Sequence, residues 1–229
     1  MAGDTIYIYD GNGIYGKFGC LSVVKVKMNH VTILKDYVPL EAAQLLAQWI
    51  TDSSCQFTIS GNRRSKFGDY RPPFGGKGHR ISVNYNLNQY AFLITTVHEF
   101  AHLKTWKEHK NKVKPHGLSW KNNFKVLMEP FFAMNLFPDD IKSAVSLYLS
   151  NPGASSCTDL NLFRTLQKYD EGEKEHVILE HLPENSTFVI STGRIFEKGQ
   201  KLRKRYRCIE RPSGKVYLFN PLAEVKVLR

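Results

Sequence analysis

The sequence predicts an α+β fold: a helical domain carrying a small antiparallel sheet, followed by a small all-β domain. Three observations point to it. Apolar residues recur at helical spacing over several stretches between residues 28 and 150, with short alternating segments among them. Five short alternating segments separated by turns lie within 161–229. Between the two regions, SNPGASSCTD has the Gly, Pro and Ser content of a linker, placed at 151–160.

Taken in order, residues 1–27 are rich in Gly and Tyr and form an N-terminal extension with two readings. Either IYIYD and LSVVKVK make a hairpin, or the chain starts biologically at Met28. From Pro39 to Ile50, Leu40, Ala43, Leu46, Ala47 and Ile50 fall on one helical face, and Pro39 suits a first turn. CQFTIS alternates as a strand, GNRRSKFGDYRPPFGGKGH reads as loop, and RISVN as a second strand. Helices follow at about Tyr90–Lys107, Ser119–Met134 and Asp139–Ser150. Beyond the linker, HVILEHL, TFVIS, LRKRYRCIE, KVYLFN and AEVKVL are the strand candidates.

The 229 residues are enough to bury a full core without cross-links. The four cysteines, Cys20, Cys55, Cys157 and Cys208, include no CxxC pair, which speaks against a disulfide framework or a complete zinc ribbon and suits a reducing compartment. No signal-like or membrane-spanning apolar run occurs, so the expected location is the cytoplasm. A net charge of +11 makes acidic partners the natural expectation, nucleic acid first among them.

The chemistry concentrates in HEFAHLKTWKEHKNKVKPHGLSW, residues 98–120, which holds four of the eight histidines. His98 and His102 stand one helical turn apart and can grip one metal ion, while Glu99 sits beside them as a candidate base rather than a ligand. Leu93, Val97, Phe100 and Ala101 form a packing face; Ala91, Thr95, His98, His102 and Thr105 form a small or polar stripe expected to face a cleft. A catalytic zinc takes three protein ligands and keeps one position open. His109 would lie about 10 Å further along a continuing helix, too far to share the ion. His116 is the better third ligand, because Pro115 ends the helix and lets the chain fold back; Glu129 on the next helix is the alternative. A metzincin arrangement is excluded by Thr105 and Glu108, where Gly and His would be needed.

HEFAH, thirteen residues, then HGLSW resembles the SprT-like family of zinc metallopeptidases, whose pattern is HExxH followed by a His-Gly with an aromatic residue three positions after that His. His116, Gly117 and Trp120 match the second element, and RISVNYNLN leading into the helix also looks like the family's. The resemblance covers roughly residues 28–134 and implies a zincin-like domain with one Zn2+ held by His98, His102 and His116, and Glu99 as the catalytic glutamate. The family includes the eukaryotic Spartan protease, which degrades proteins crosslinked to DNA. Many relatives end in a cysteine-rich zinc ribbon, whereas this chain retains only Cys208 in that region.

The activity implied is metalloendopeptidase action on DNA-associated or DNA-crosslinked proteins, with a protein substrate and nucleic acid, single-stranded DNA favoured, as partners. The alternative is a nucleic-acid-binding or transcription-associated module with a mainly structural zinc. Tyr70, Arg71, His79 and Arg80 are open candidates for stabilising an oxyanion, and RISVN is a candidate cleft-edge strand that pairs with substrate backbone. Lys104, Lys107, Lys110, Lys112 and Lys114, with Trp106 among them and Lys121 and Lys125 beyond, form one candidate nucleic-acid surface. Alternation along LRKRYR would place Arg203, Arg205 and Arg207 together on a strand face as a second.

Overall fold

The computed structural model describes residues 6–8, 30–61, 63, 66–153, 159–171 and 176–228, the first three as backbone only. It is mixed α+β in two units, Met1–Asp170 and Glu171–Arg229. No described helix is long and apolar enough to cross a membrane.

In the first unit a short helix, α1 (His30–Leu34), leads into α2 (Leu40–Ser53), which buries Ala42, Ala43, Leu46, Ala47 and Ile50 at helical spacing. Leu40 begins the helix but is exposed, because its position precedes the buried face. Ser54 adopts the left-handed conformation (φ 49°), which ends the helix and turns the chain into the sheet.

Four strands make that sheet: β1 (Ile6–Ile8), β2 (Gln56–Ser60), β3 (Gly68–Arg71) and β4 (Arg80–Asn84), in the order β1-β2-β4-β3. The sheet is mixed, not antiparallel as the local patterns suggest. β1 and β4 flank β2 in parallel, and β3 runs antiparallel to β4. The reason is topological. The chain leaving β2 runs past the place later filled by β4, forms the edge strand β3, and returns through a tight turn to insert β4 in the middle. Strand Ile6–Ile8 pairs with β2 and so joins the same sheet as residues beyond Met28; LSVVKVK, the other half of the expected hairpin, lies outside the described residues.

Helix α3 (Gln89–His109) starts at Asn88, whose side-chain oxygen accepts the N–H groups of Tyr90 and Ala91. It is buried on more than one face: Phe92, Leu93, Ile94 and Val97 join the core, and Thr95, Thr96, His98 and Glu99 are buried as well. Helices α4 (Leu118–Ala133), α5 (Asp139–Ser150) and α6 (Leu160–Gln167) complete the unit. Phe124, Met128 and Phe131 of α4, Ile141 and Val145 of α5, and Leu162 and Leu166 of α6 share one apolar core with α2 and α3. Each such side chain contributes roughly 1.5–3 kcal/mol through burial. The expected linker at 151–160 is therefore displaced: α6 packs on the first core, Asn88 Nδ2 donates to the Leu166 carbonyl and to Asp170, and the division falls after Asp170.

The second unit is a six-stranded antiparallel sheet of β5 (Val177–Ile178), β6 (Thr187–Val189), β7 (Ile195–Lys201), β8 (Tyr206–Glu210), β9 (Val216–Phe219) and β10 (Glu224–Val227), ordered β5-β10-β6-β7-β8-β9. Leu179, Phe188, Phe196, Cys208 and Val225 form its core. Lys198 is buried too; its ammonium group donates to the carbonyls of Glu180 and Leu182 and lies over the Tyr206 ring, so the charge is solvated by protein groups in place of water.

Candidate metal centre

His98 and His102 stand one turn apart on α3, and the third histidine arrives by a reversal of the chain. Helix α3 stops at His109, and Lys110 takes φ 53°. His116 itself is left-handed at φ 57°, and the Gly117 N–H donates to the Lys114 carbonyl at 3.0 Å just before α4 begins. A Cβ on Gly117 would lie 2.9 Å from that carbonyl oxygen, so only glycine lets the turn close this tightly. The outcome is a convergence of ring nitrogens. His116 Nε2 lies 2.9 Å from His102 Nε2 and 3.3 Å from His98 Nε2.

This arrangement fits a metal ion. Two nitrogens bound tetrahedrally at about 2.1 Å sit about 3.4 Å apart, near the spacing seen. The three imidazoles are the only group among the described residues with the spacing to hold one. Burial is the first cause that keeps them neutral. It holds His98 well below the ordinary histidine value, lowers His102 to about 3 and lowers His116, and the neighbouring rings add to the effect on His98 and His102. Neutral rings with converging nitrogens present lone pairs to a common point, and a cation satisfies them. His98 Nδ1 is buried with no hydrogen-bond partner, so packing against Trp120 and Phe124, with centroids at 4.6 and 5.5 Å, orients this ring.

Trp120 is the floor of the site. It is fully buried and lies against all three histidines, with centroid distances of 4.6 Å to His98, 5.3 Å to His102 and 4.6 Å to His116. Tyr70, on β3, stacks parallel to His102 at 6.3 Å and shares a 2.9 Å hydrogen bond with His79 Nδ1.

Glu99 is buried, and burial above all, helped by Asp69, raises its carboxyl to about 8; Arg63, Lys66 and the Tyr70 N–H pull the other way. Its space is provided by Gly68. A Cβ there would fall 2.3 Å from Glu99 Oε1, 2.8 Å from Glu99 Cγ and 2.8 Å from Thr95 Cγ2. β3 can therefore lie across α3 at this point only without a side chain. Asn84 and Arg63 hold the approach to that strand. Asn84 Nδ2 donates to the carbonyls of Arg63 and Lys66, and Arg63 donates to Asn84 Oδ1 at 2.8 Å and Ser82 Oγ at 2.9 Å.

A cleft of about 500 Å³ opens over these groups, lined by β3, by His98, Glu99 and His102, and by the 110–116 connector. β3 is its edge strand, so RISVN (β4), paired on both sides, is not the free edge expected of it. Of the four oxyanion candidates only Tyr70 lines the cleft; Arg71 is exposed and paired with Asp69, His79 bonds to Tyr70, and Arg80 Nε is buried without a partner. His109 lies beside Glu108 at 3.8 Å, and Glu129 is exposed on α4, so neither joins the three histidines.

The lysines divide. Lys104 pairs with Glu108 at 2.8 Å, Lys110 lies 4.0 Å over the Trp106 ring, Lys107, Lys112 and Lys114 are exposed, and Lys110 and Lys114 line the cleft. Trp106 is half-buried, with its Nε1 sequestered. Lys121 and Lys125 donate to Asn151 and the Ser150 carbonyl. Arg203, Arg205 and Arg207 are all exposed but do not share a strand face: pairing of β7 with β8 shifts register between Lys198 and Lys201, β8 begins at Tyr206, and residues 203–205 form the bend before it. The residue missed by sequence reasoning is Gly68, whose role depends on a strand crossing that no local pattern signals. Comparison of the chain with family models, curated proteins and solved structures gave no match.

Proposed function

We propose that this chain is a zinc-dependent metalloendopeptidase of the SprT-like kind, acting on proteins associated with or crosslinked to DNA. The observation that carries the reading is a buried carboxylate, Glu99, placed in the same cleft as three converging neutral histidines. His98, His102 and His116 would hold the zinc, which when bound supplies Lewis acidity to polarise a peptide carbonyl and ease deprotonation of water. Glu99 takes the proton of the attacking water on a carboxylate oxygen and passes it to the leaving amine. That elevated value belongs to the metal-free site; the charge of a bound zinc would favour the ionised carboxylate this step needs, and burial makes that carboxylate a stronger base than an exposed one. The outer edge of β3 offers backbone groups to an extended substrate, a mode of binding that reads little sequence. Exposed lysines at the cleft mouth and the exposed Arg203, Arg205 and Arg207 of the second unit supply the affinity for DNA.

A second reading, a nucleic-acid-binding module whose zinc is mainly structural, draws support from Lys110 stacked on Trp106 within the cleft. The test compares zinc-loaded wild type with Glu99→Gln on a basic DNA-binding protein, with and without single-stranded DNA. The peptidase reading requires cleavage by wild type, stimulation by DNA and loss in the variant. Cleavage that persists in Glu99→Gln overturns the mechanism; zinc and DNA binding without cleavage by either protein favours the module.

A further inference from the structure

The connection between β3 and β4 is a rigid hairpin tip whose features the peptidase chemistry does not use. Phe74 and Lys77 exchange both backbone hydrogen bonds at 3.1 Å, and the two residues between them, Gly75 and Gly76, have φ of 57° and 75°. Positive φ at both central positions is the type I′ hairpin geometry, which matches strand twist and needs no contact from elsewhere to hold it. At this preorganised tip Phe74 is 83% exposed, more than any other large apolar side chain among the described residues. The turn fixes the backbone that carries Phe74 and leaves both faces of its ring open to a ligand.

Its surroundings select the ligand. Residues 70–98 contain no Asp or Glu, and Lys77, His79 and Arg80 lie on or beside the hairpin, next to Arg71, whose charge is paired with Asp69. At its base His79 meets the Trp106 ring edge-on at 5.0 Å; burial first, and then the charges of Lys107 and Lys110, lower its pKa. The positive groups thus continue from the tip onto the end of α3, where Lys110 lines the cleft. One exposed ring flanked by glycines and a proline gives too little apolar area for a membrane anchor or a protein hot spot. A single stacking platform beside a run of cations suits a linear polyanion with accessible base faces.

We propose that Phe74 and Lys77 form a single-stranded nucleic-acid contact, with Phe74 stacking on an unpaired base and Lys77, Lys107 and Lys110 neutralising the adjoining phosphates. This deepens the DNA-associated reading above, since the hairpin is continuous with β3 and a strand held there brings its bound protein to the cleft. It involves neither zinc nor Glu99.

The experiment is done in the full-length Glu99→Gln chain, so that its outcome is independent of peptidase activity. Binding of a fluorescein-labelled oligothymidylate is measured across a range of salt for the parent, Phe74→Ala, Phe74→Trp and Lys77→Ala. Loss of the ring weakens binding about tenfold with an unchanged salt slope, whereas Phe74→Trp binds at least as tightly as the parent and its indole fluorescence is quenched. Lys77→Ala weakens binding and lowers the salt slope by about 1. Because Phe74 is exposed, Phe74→Ala leaves the fold intact, checked by its melting temperature. Equal affinity for the parent and Phe74→Ala, or indole fluorescence of the Phe74→Trp variant that stays unquenched on saturation with oligonucleotide, overturns the proposal.

Discussion

Replacing Gly68 by alanine adds one methyl group to a strand, and the geometry gives that methyl no room. The new carbon would sit 2.3 Å from Glu99 Oε1 and 2.8 Å from both Glu99 Cγ and Thr95 Cγ2. Carbon contacts are comfortable at roughly 3.5–4.0 Å, so the carboxylate must retreat by about 1 Å or the strand must lift. Overpacking of this kind costs about 1–3 kcal/mol. A displacement of about 1 Å in a reacting group lowers turnover on the order of a hundredfold. Gly68→Ala is therefore expected to lose about 2 kcal/mol in urea unfolding of the metal-free protein and, on the proposed peptidase reading, about a hundredfold in kcat/KM, while zinc affinity changes only a few-fold because the three histidines are untouched. A double-mutant cycle isolates the cause. In a Glu99→Ala background two of the three close contacts vanish, so the same substitution should cost about 1 kcal/mol less there. Wild-type cleavage by Gly68→Ala, or an equal stability cost in both backgrounds, refutes the reasoning.

Two further perturbations follow from the same site. The Glu99 carboxyl titrates near 8 when folded and from 4.5 when free. Between those values the folded metal-free protein retains a proton that the unfolded chain has released, so its stability falls as pH rises through that window, by at most about 5 kcal/mol. Glu99→Gln removes this dependence; unfolding of the two proteins at about pH 4.5 and about pH 8.5 should show the variant gaining on wild type at the higher pH, and parallel profiles would contradict the burial assigned to the carboxyl. Trp120→Ala empties the floor beneath all three histidines. It should cost about 3–5 kcal/mol in stability and weaken zinc binding, as measured by denaturant unfolding and by competition with a chromophoric chelator; Trp120→Phe should recover part of both.

The site was more legible than the sheet that frames it. His98, Glu99 and His102 follow from spacing on one helix, and His116 from a break within KNKVKP, which the structure places at Lys110 rather than at Pro115; both arguments concern chain segments close in sequence. In the sequence β3 looks like loop because GDYR has no alternation of apolar residues. What holds it is backbone pairing with β4, and its burial is intermediate until the exposed Arg71. Parallel placement of β2 beside β4 depends on a crossover that periodicity does not carry. Helix α6 was hidden behind a turn-rich stretch, although Asp159, whose side chain accepts the Leu162 N–H, is the cap residue that marks its start. The three arginines show the opposite case: alternation suggests a strand over LRKRYR, but the ladder begins only at Tyr206.

The most direct test is X-ray absorption at the zinc edge on protein reconstituted with one equivalent of zinc, with His116→Ala as the comparison. The arrangement of His98, His102 and His116 predicts one bound zinc with three nitrogen neighbours at about 2.0–2.1 Å and an imidazole scattering pattern, reduced to two rings and far weaker binding in the variant. Sulfur in the coordination shell, or an identical spectrum and affinity for His116→Ala, would contradict the three-histidine centre on which the peptidase reading rests.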